Sequence, residues 1–435
     1  MTTTTVTTEA IRETALAARA AGGKLARLPA EGRAALLRDL AKALGDEKNR
    51  AAILAANAED VARAKAEGLA PTLAKRLGLD GKKLDGLVDG LEQLAAMPDL
   101  VGRATLRREL DDGLVLERVS CPLGLLGVVF ESRPDALVQI VGLAWKSGNA
   151  VLLKGGREAT TTNQALIEIV HGVLGRHGID PRAAVLLAGR EEVAAVLGLD
   201  GTVDLIVARG SSEFVRYIQS RSRIPVMGHA AGVCHVYLHA AADPAMAAKV
   251  VVDAKMTYPA ACNAAETLLW DTSAGEALDA CVAALSEAGV EIRADEATRA
   301  RHPKLAAAQA SDFGFEFGAP IIAVKQVRDL DAALAFIDAH GSRHTEAIIT
   351  KDRVAAARFL AEVDAAGVYH NASTRFADGY RYGLGAEVGI STDKLHARGP
   401  VGVEGLLTYR WLLRGGGQLT ASYGPGGKRF KHRDL

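Results

Sequence analysis

The chain has 435 residues, of which 49% are hydrophobic, 24% charged and 5% aromatic, and its 52 basic residues balance 52 acidic ones. At roughly 150 residues per domain, that length makes two or three domains, enough to bury a core without staples. Zero net charge argues against a nucleic-acid binder, four cysteines with no CxxC pair exclude a disulfide framework or zinc ribbon, and no apolar run reaches the ~20 residues of a membrane span.

Up to about residue 100 the stretches Ala10–Ala20, Gly32–Leu44 and Lys48–Glu67 repeat apolar residues at helical spacing, which predicts an amphipathic helical layer. Leu106–Leu110 and Leu114–Val119 flank Asp111-Asp112-Gly113 and predict a β-hairpin. Strand and helix then alternate. Strands are expected at Leu125–Phe130, Ala150–Leu153, Ala183–Leu187 and Val203–Ala208, with helices at Asp135–Lys146, Ala159–His177, Glu191–Leu197 and Ser211–Arg221. Such units imply a parallel, doubly wound sheet, which binds ligands beyond the carboxyl ends of its strands.

A second α/β set runs from about 233 to 398. Its strands are expected at Val233–Leu238, Thr267–Leu269, Ile321–Val324, Ala347–Ile349 and Gly367–His370, and its helices at Met246–Lys255, Gly275–Ala288, Leu330–Ala339 and Val354–Val363. Leu406–Leu413 suits an edge strand or a partner interface, and the basic tail Lys428–Arg433 reads as a solvated end. Met1–Thr5 carries no secretory leader pattern, and the cysteines read as reduced thiols, so a cytoplasmic protein is expected.

Chemistry concentrates in two loops. Lys154-Gly155-Gly156-Arg157 closes a strand before a helix, where glycines admit a ligand to the backbone and the cations favour an anion; read alone, it is better taken as a plain strand–helix turn with solvated charges. In Tyr258-Pro259-Ala260-Ala261-Cys262-Asn263, a loop cysteine precedes a strand and is open to act as a nucleophile. Cys234 and Cys281, set among apolar residues and alanines, read as buried structural thiols, and Cys121 has no evident role. His340 and His344 lie four apart, but Gly341 argues against a helix there and no third ligand is evident, so no metal is expected.

Four stretches carry a resemblance. They are Pro122-Leu123-Gly124 leading into Phe130-Glu131-Ser132-Arg133-Pro134; Tyr258–Asn263 with Glu266–Leu269; Val368–Gly379; and Gly383–Thr392 continuing through Lys394–Pro400. They resemble the aldehyde-dehydrogenase superfamily and, within it, the γ-glutamyl phosphate reductase family, from the first helices to about residue 411. The resemblance implies an α/β fold of two doubly wound parallel-sheet domains with a small β arm: 1–107 and 120–230 for NADPH, 231–398 for catalysis, and 108–119 with 399–435 for homo-oligomerisation.

It also implies reduction of γ-glutamyl phosphate by NADPH through a thioester on Cys262, and possible association with glutamate 5-kinase. Asn263 belongs to the catalytic motif, and Ser132 stands near the place of an oxyanion-binding Asn. Where oxidising relatives carry a general-base Glu, Val226–His235 has no carboxylate, which favours reduction. Arg157, replacing a ribose-binding Glu, favours NADP. Gly210, Ser211 and Glu316 are further cofactor candidates, and Arg133, Asn371, Thr374 and Arg375 are substrate candidates. The competing readings are a CoA-acylating aldehyde dehydrogenase, a non-catalytic relative and a cysteine hydrolase.

Overall fold

The computed structural model describes residues 8–69, 71–229 and 231–435. The start read for a leader lies outside the described residues, as does Ala230 of the 226–235 segment. Five helices come first: α1 (Thr8–Arg27), α2 (Ala30–Gly45), α3 (Glu47–Ala66), α4 (Pro71–Leu77) and α5 (Gly81–Ala96). Their starts are written in the sequence, since Asp46 accepts from the Asn49 N–H ahead of α3 and Asp80 from the Lys83 N–H ahead of α5. Next, β1 (Ala104–Asp111) and β2 (Leu114–Pro122) pair antiparallel around Gly113, whose φ of 68° is a conformation that glycine adopts freely.

The chain then alternates through β3 (Leu125–Phe130), α6 (Asp135–Lys146), β4 (Ala150–Lys154), α7 (Thr160–Arg176), β5 (Ala184–Leu186), α8 (Arg190–Val196), β6 (Leu205–Arg209), α9 (Ser212–Arg221) and β7 (Val226–Met227). These strands form one parallel sheet in the order β5-β4-β3-β6-β7. Alternate side chains of β3 enter opposite cores: Leu126, Val128 and Phe130 meet α2, α5, α6 and α7, while Leu125 and Val129 meet α1 and α8. Helix α6 lies close on α5 because Gly142 has no side chain; a Cβ there would fall 2.9 Å from Leu91. The strand order reverses between β3 and β6, so a crevice opens beyond Phe130 and Arg209.

The second half contributes β8 (Cys234–Leu238), α10 (Pro244–Met256), β9 (Ala265–Asp271), α11 (Gly275–Glu287), β10 (Glu291–Ala294), α12 (Glu296–Arg301), β11 (Ala306–Ala307), β12 (Ile321–Val327), α13 (Leu330–His340), β13 (Thr345–Ile349), α14 (Arg353–Glu362) and β14 (Gly367–His370). Its parallel sheet runs β11-β10-β12-β9-β8-β13-β14. The spacing did not mark β10 or β11: the first carries Glu291 and Arg293, the second is two alanines, and neither forms an apolar run.

Under the β9 end of this sheet, fully buried Lys255 donates to fully buried Glu266 at 2.6 Å. Removing one partner leaves the other charge in an apolar interior, so Lys255→Met should destabilise the fold by about 3–5 kcal/mol, measured by urea unfolding. A Lys255→Met/Glu266→Leu double variant that stays as unstable as the single one would contradict this account.

Two short strands, β15 (Ile390–Ser391) and β16 (Gly399–Pro400), pair antiparallel. Then β17 (Leu407–Arg414) joins β2, and β18 (Arg433–Asp434) joins β1, making an antiparallel arm sheet β17-β2-β1-β18. The basic tail is therefore not a free solvated end. Its charges meet the acidic hairpin: Arg433 pairs with Glu109 at 2.7 Å, Arg108 with Asp434 at 2.6 Å, and Lys431 with Asp112. No helix among the described residues is long and apolar enough to cross a membrane.

Candidate active site

The carboxyl ends of β3 and β6 face the amino ends of β8, β9 and β13 across a cleft of about 750 Å³. Cys262 lies in this cleft, three residues before β9. Its loop is folded by local turns, with the Ala261 N–H bonded to Tyr258 C=O and the Ala264 N–H to Ala261 C=O. Gly232 packs directly on it, and a Cβ at that position would lie 2.5 Å from the Cys262 Cα. The Cys262 thiol is half-buried, whereas Cys234 and Cys281 are buried as expected. Burial pushes the Cys281 thiol up to about 12 and the Cys234 thiol well above its ordinary range. Those two are inert thiols.

Cys262 behaves oppositely. Burial alone would raise its thiol, but the imidazoles of His344 and His229 override that and hold it well below the ordinary range. The three ligating atoms lie within 4.8 Å of one another, and the rings cross edge to face at 5.2 Å between centroids. His229 Nδ1 donates to Ile390 C=O at 3.0 Å, which leaves Nε2 for the sulfur. His344 Nδ1 bonds Thr345 Oγ1 at 2.8 Å, and its buried Nε2 has no hydrogen-bond partner among the described residues. Despite its own burial, His229 is pushed up to about 9 by the Cys262 charge and hydrogen bond. Both shifts favour a thiolate next to an imidazolium.

The histidine pair read for a metal separates in the fold. His340 ends α13 and packs on Phe336 at 4.2 Å between centroids, while His344 turns to Cys262. The set with ligand geometry is instead His229, Cys262 and His344, drawn from three distant segments.

Of the residues singled out in the sequence, Cys262, Asn263, Ser132, Arg133, Gly210, Ser211, Glu316 and Arg375 line the cleft. Several do other work than expected. Ser132 has φ 46°, and this turn folds both its N–H and its hydroxyl onto Glu158 at 2.6 and 2.8 Å, so it presents no free oxyanion donor. Buried Asn263 donates to Ala377 C=O at 2.8 Å, and Thr374 donates to Asn263 C=O at 2.7 Å. These two bonds clamp the nucleophile loop to the 374–377 turn, so Thr374 braces that loop from outside the cleft lining.

Asn371 is likewise outside it. Its side chain bonds both the N–H and the C=O of Thr350 at 2.9 Å, which holds a turn. Glu316 accepts from the Gly232 N–H at 2.9 Å, behind the nucleophile loop.

Lys154, Gly155, Gly156 and Arg157 stand off the cleft lining. The space above the two glycines is filled from within, because a Cβ on Gly155 would meet Asn163 at 2.1 Å and one on Gly156 would meet Glu158 at 2.0 Å. The Arg157 side chain is 88% exposed and pairs with Glu67 at 3.1 Å. Ser211 caps α9 by accepting from the Phe214 N–H, while its own N–H donates to Glu131 at 3.0 Å.

Sequence reasoning missed Arg209 and Glu387, and did not join His229 or His344 to Cys262. The segment with His229 was read only for its lack of a carboxylate, and strand 203–208 was ended one residue before Arg209.

No protein-family model matches the chain. It is 52% identical over 436 residues, covering all of both chains, to a γ-glutamyl phosphate reductase of Parasynechococcus marenigrum (strain WH8102), and 51% identical over 99% of both to that of a Cyanothece strain. Among solved structures, the Thermotoga maritima γ-glutamyl phosphate reductase superposes with a TM-score of 0.91 at 34% identity, over 94% of this chain and 99% of that one. A glyceraldehyde-3-phosphate dehydrogenase of Methanocaldococcus jannaschii, solved with NADP, shares the fold with a TM-score of 0.66 at 16% identity, over 93% and 94% of the two chains. With two parallel sheets, an antiparallel arm and relatives matched along its whole length, this chain has the aldehyde-dehydrogenase fold and belongs to the γ-glutamyl phosphate reductase family.

Proposed function

We propose that this protein reduces L-γ-glutamyl 5-phosphate to L-glutamate 5-semialdehyde and phosphate with NADPH, in proline synthesis from glutamate. The observation that carries the reading is the half-buried Cys262 flanked by two imidazoles in a cleft that Arg133, Arg209 and Arg375 also line. The Cys262 thiolate attacks the acyl carbon of the mixed anhydride. The tetrahedral oxyanion lies near the Cys262 N–H, which makes no hydrogen bond within the described residues, and such a donor is worth several kcal/mol. His229 holds a proton next to the leaving oxygen, so phosphate departs protonated and a thioester remains. Glu131, Glu158 and Glu316 each accept a backbone N–H, which ties these cleft carboxylates to the walls and away from the role of a base that activates water.

The residues around the switch point suit NADPH. Gly210 and Ser211 open α9, and Arg157 has only an exposed carboxylate to release. Glu158, the acid next to it, is turned onto Ser132 and so does not oppose a 2′-phosphate. When bound, NADPH supplies the hydride that reduces the thioester. The unit 1–107 with 120–230 is the cofactor domain, with Lys154 and Arg157 at its phosphate end, and 231–398 is the catalytic domain. Arg133 and Arg375 bind the substrate's anionic groups.

Arg157→Glu should lower the preference for NADPH over NADH by about 10- to 100-fold, one charged hydrogen-bonded contact's worth, read as a ratio of kcat/KM values. An unchanged ratio would remove Arg157 from the site.

Exposed Tyr409, Trp411 and Leu413 alternate along edge strand β17, which supports homo-oligomerisation through the arm of 108–119 and 399–435. A cytoplasmic enzyme that receives its labile acyl phosphate from glutamate 5-kinase completes the reading. Its test is the reverse reaction, NADP reduction with glutamate 5-semialdehyde. Turnover should require inorganic phosphate; turnover that is independent of phosphate would mean ordinary aldehyde oxidation instead.

A further inference from the structure

A second cavity of about 450 Å³ lies between α5, α6 and the 378–387 segment. It meets the nucleophile's cleft at four residues that line both: Arg133, Arg209, Asp378 and Glu387. Neither Arg133 nor Arg209 has an ion-pair partner among the described residues, and the Arg209 Nη1 is buried without any hydrogen-bond partner. Two guanidiniums close enough to oppose each other's charge, with a buried donor unpaired, make an anion site. Glu387 lies close enough to feel the Arg209 charge, and one of its oxygens accepts from the Gly379 N–H at 2.7 Å. Among the described residues its other oxygen carries no hydrogen bond, so the junction offers an acceptor as well as the Arg209 donor.

We infer that this junction is an α-amino-acid headgroup subsite, in which Arg209, alongside Arg133, takes the substrate's α-carboxylate and Glu387 its α-ammonium. The inference rests on the reductase reading above and deepens it. In a γ-glutamyl group the carbon attacked by Cys262 is three single bonds from the α-carbon, a span of roughly 4 Å. A headgroup tethered that closely does not reach the far end of either cavity. It lies where the two meet, at a place that offers both an unpaired cation and a free carboxylate oxygen. The two charges then discriminate as a pair, since a buried polar group left unmatched by a substrate penalises that substrate.

The experiment compares kcat/KM in the phosphate-dependent reverse direction for three aldehydes: glutamate 5-semialdehyde, 5-oxopentanoate, which lacks the amine, and pentanal, which lacks both groups. The wild type should rank them in that order. Arg209→Met should compress the ratio of 5-oxopentanoate to pentanal by ~10²-fold or more, and Glu387→Gln should compress the ratio of glutamate 5-semialdehyde to 5-oxopentanoate by ~10-fold or more. A general structural disturbance lowers all three aldehydes together and leaves both ratios unmoved, which would overturn the inference. If Arg209→Met fails to fold, the Glu387→Gln ratio alone decides. A wild type that turns over none of the three would fail the reductase reading itself, whereas a wild type active on the first, with ratios unmoved in the variants, fails only the subsite.

Discussion

Cys262→Ala should lower phosphate-dependent turnover by at least ~10⁴-fold, the scale on which enzymes lose activity when a covalent nucleophile is deleted. The loss is that large because nothing else in the cleft can form the thioester. Cys234 and Cys281 are buried with thiols pushed far up, and Cys234 donates its S–H to the Cys262 carbonyl at 3.4 Å, so it braces the loop and does not substitute for it.

Cys262→Ser separates nucleophile from shape. It keeps volume and a hydroxyl, but a serine hydroxyl is not ionised near neutral pH, so it should lose nearly as much. Both variants should match the wild-type unfolding midpoint at pH 9.5, where His229 no longer carries the charge that pairs with the thiolate, because the loop itself is held by Asn263 and Thr374. Trapping the wild type with acyl phosphate in the absence of NADPH should add the acyl mass to the peptide containing Cys262. If the alanine variant kept more than a few per cent of turnover, or the mass appeared on another residue, the covalent mechanism would be lost.

How much of this was legible depended on the kind of signal. The parallel strands were visible because β3 and β13 are buried on every residue and therefore apolar or small along most of their length. β10 alternates buried with charged residues and gave no such run. Cys262 was legible from its loop, but its partners were not. His229 and His344 come from separate loops, and only the fold brings them to the sulfur. Hydroxyl and amide residues misled most. Ser132, Thr374 and Asn371 sit in the right motifs, yet which group a short polar side chain bonds is set by local backbone turns, such as the positive φ at Ser132 and Asn371. Arg209 escaped because a cation at the end of a buried strand looks like the strand's exit to solvent.

The electrostatics of the nucleophile make the second large prediction. Alkylation of wild-type Cys262 by iodoacetamide should be almost independent of pH from 8 down to 6, because the thiol is held well below its ordinary range. An unperturbed thiol near 8.5 is only about 1% ionised at pH 6.5, so the double variant His229→Asn/His344→Asn should alkylate ~10²-fold more slowly there and recover as pH rises. His229→Asn alone should fall between the two, since His344 still faces the sulfur.

The alkaline side carries the opposite sign. His229 keeps its proton up to about 9, so wild-type kcat/KM should decline through that pH as the imidazolium is lost, while the single variant should show no such limb. The same shift links to folding. Protonated His229 adds stability that is whole below the unfolded histidine value near 6.5 and fades as pH passes 9. Urea unfolding at pH 6 and pH 9.5 should therefore show wild type and His229→Asn converging at the higher pH. Equal alkylation profiles for wild type and the double variant would mean that the histidines do not tune the thiol, and the reactivity of Cys262 would have to come from its backbone surroundings alone.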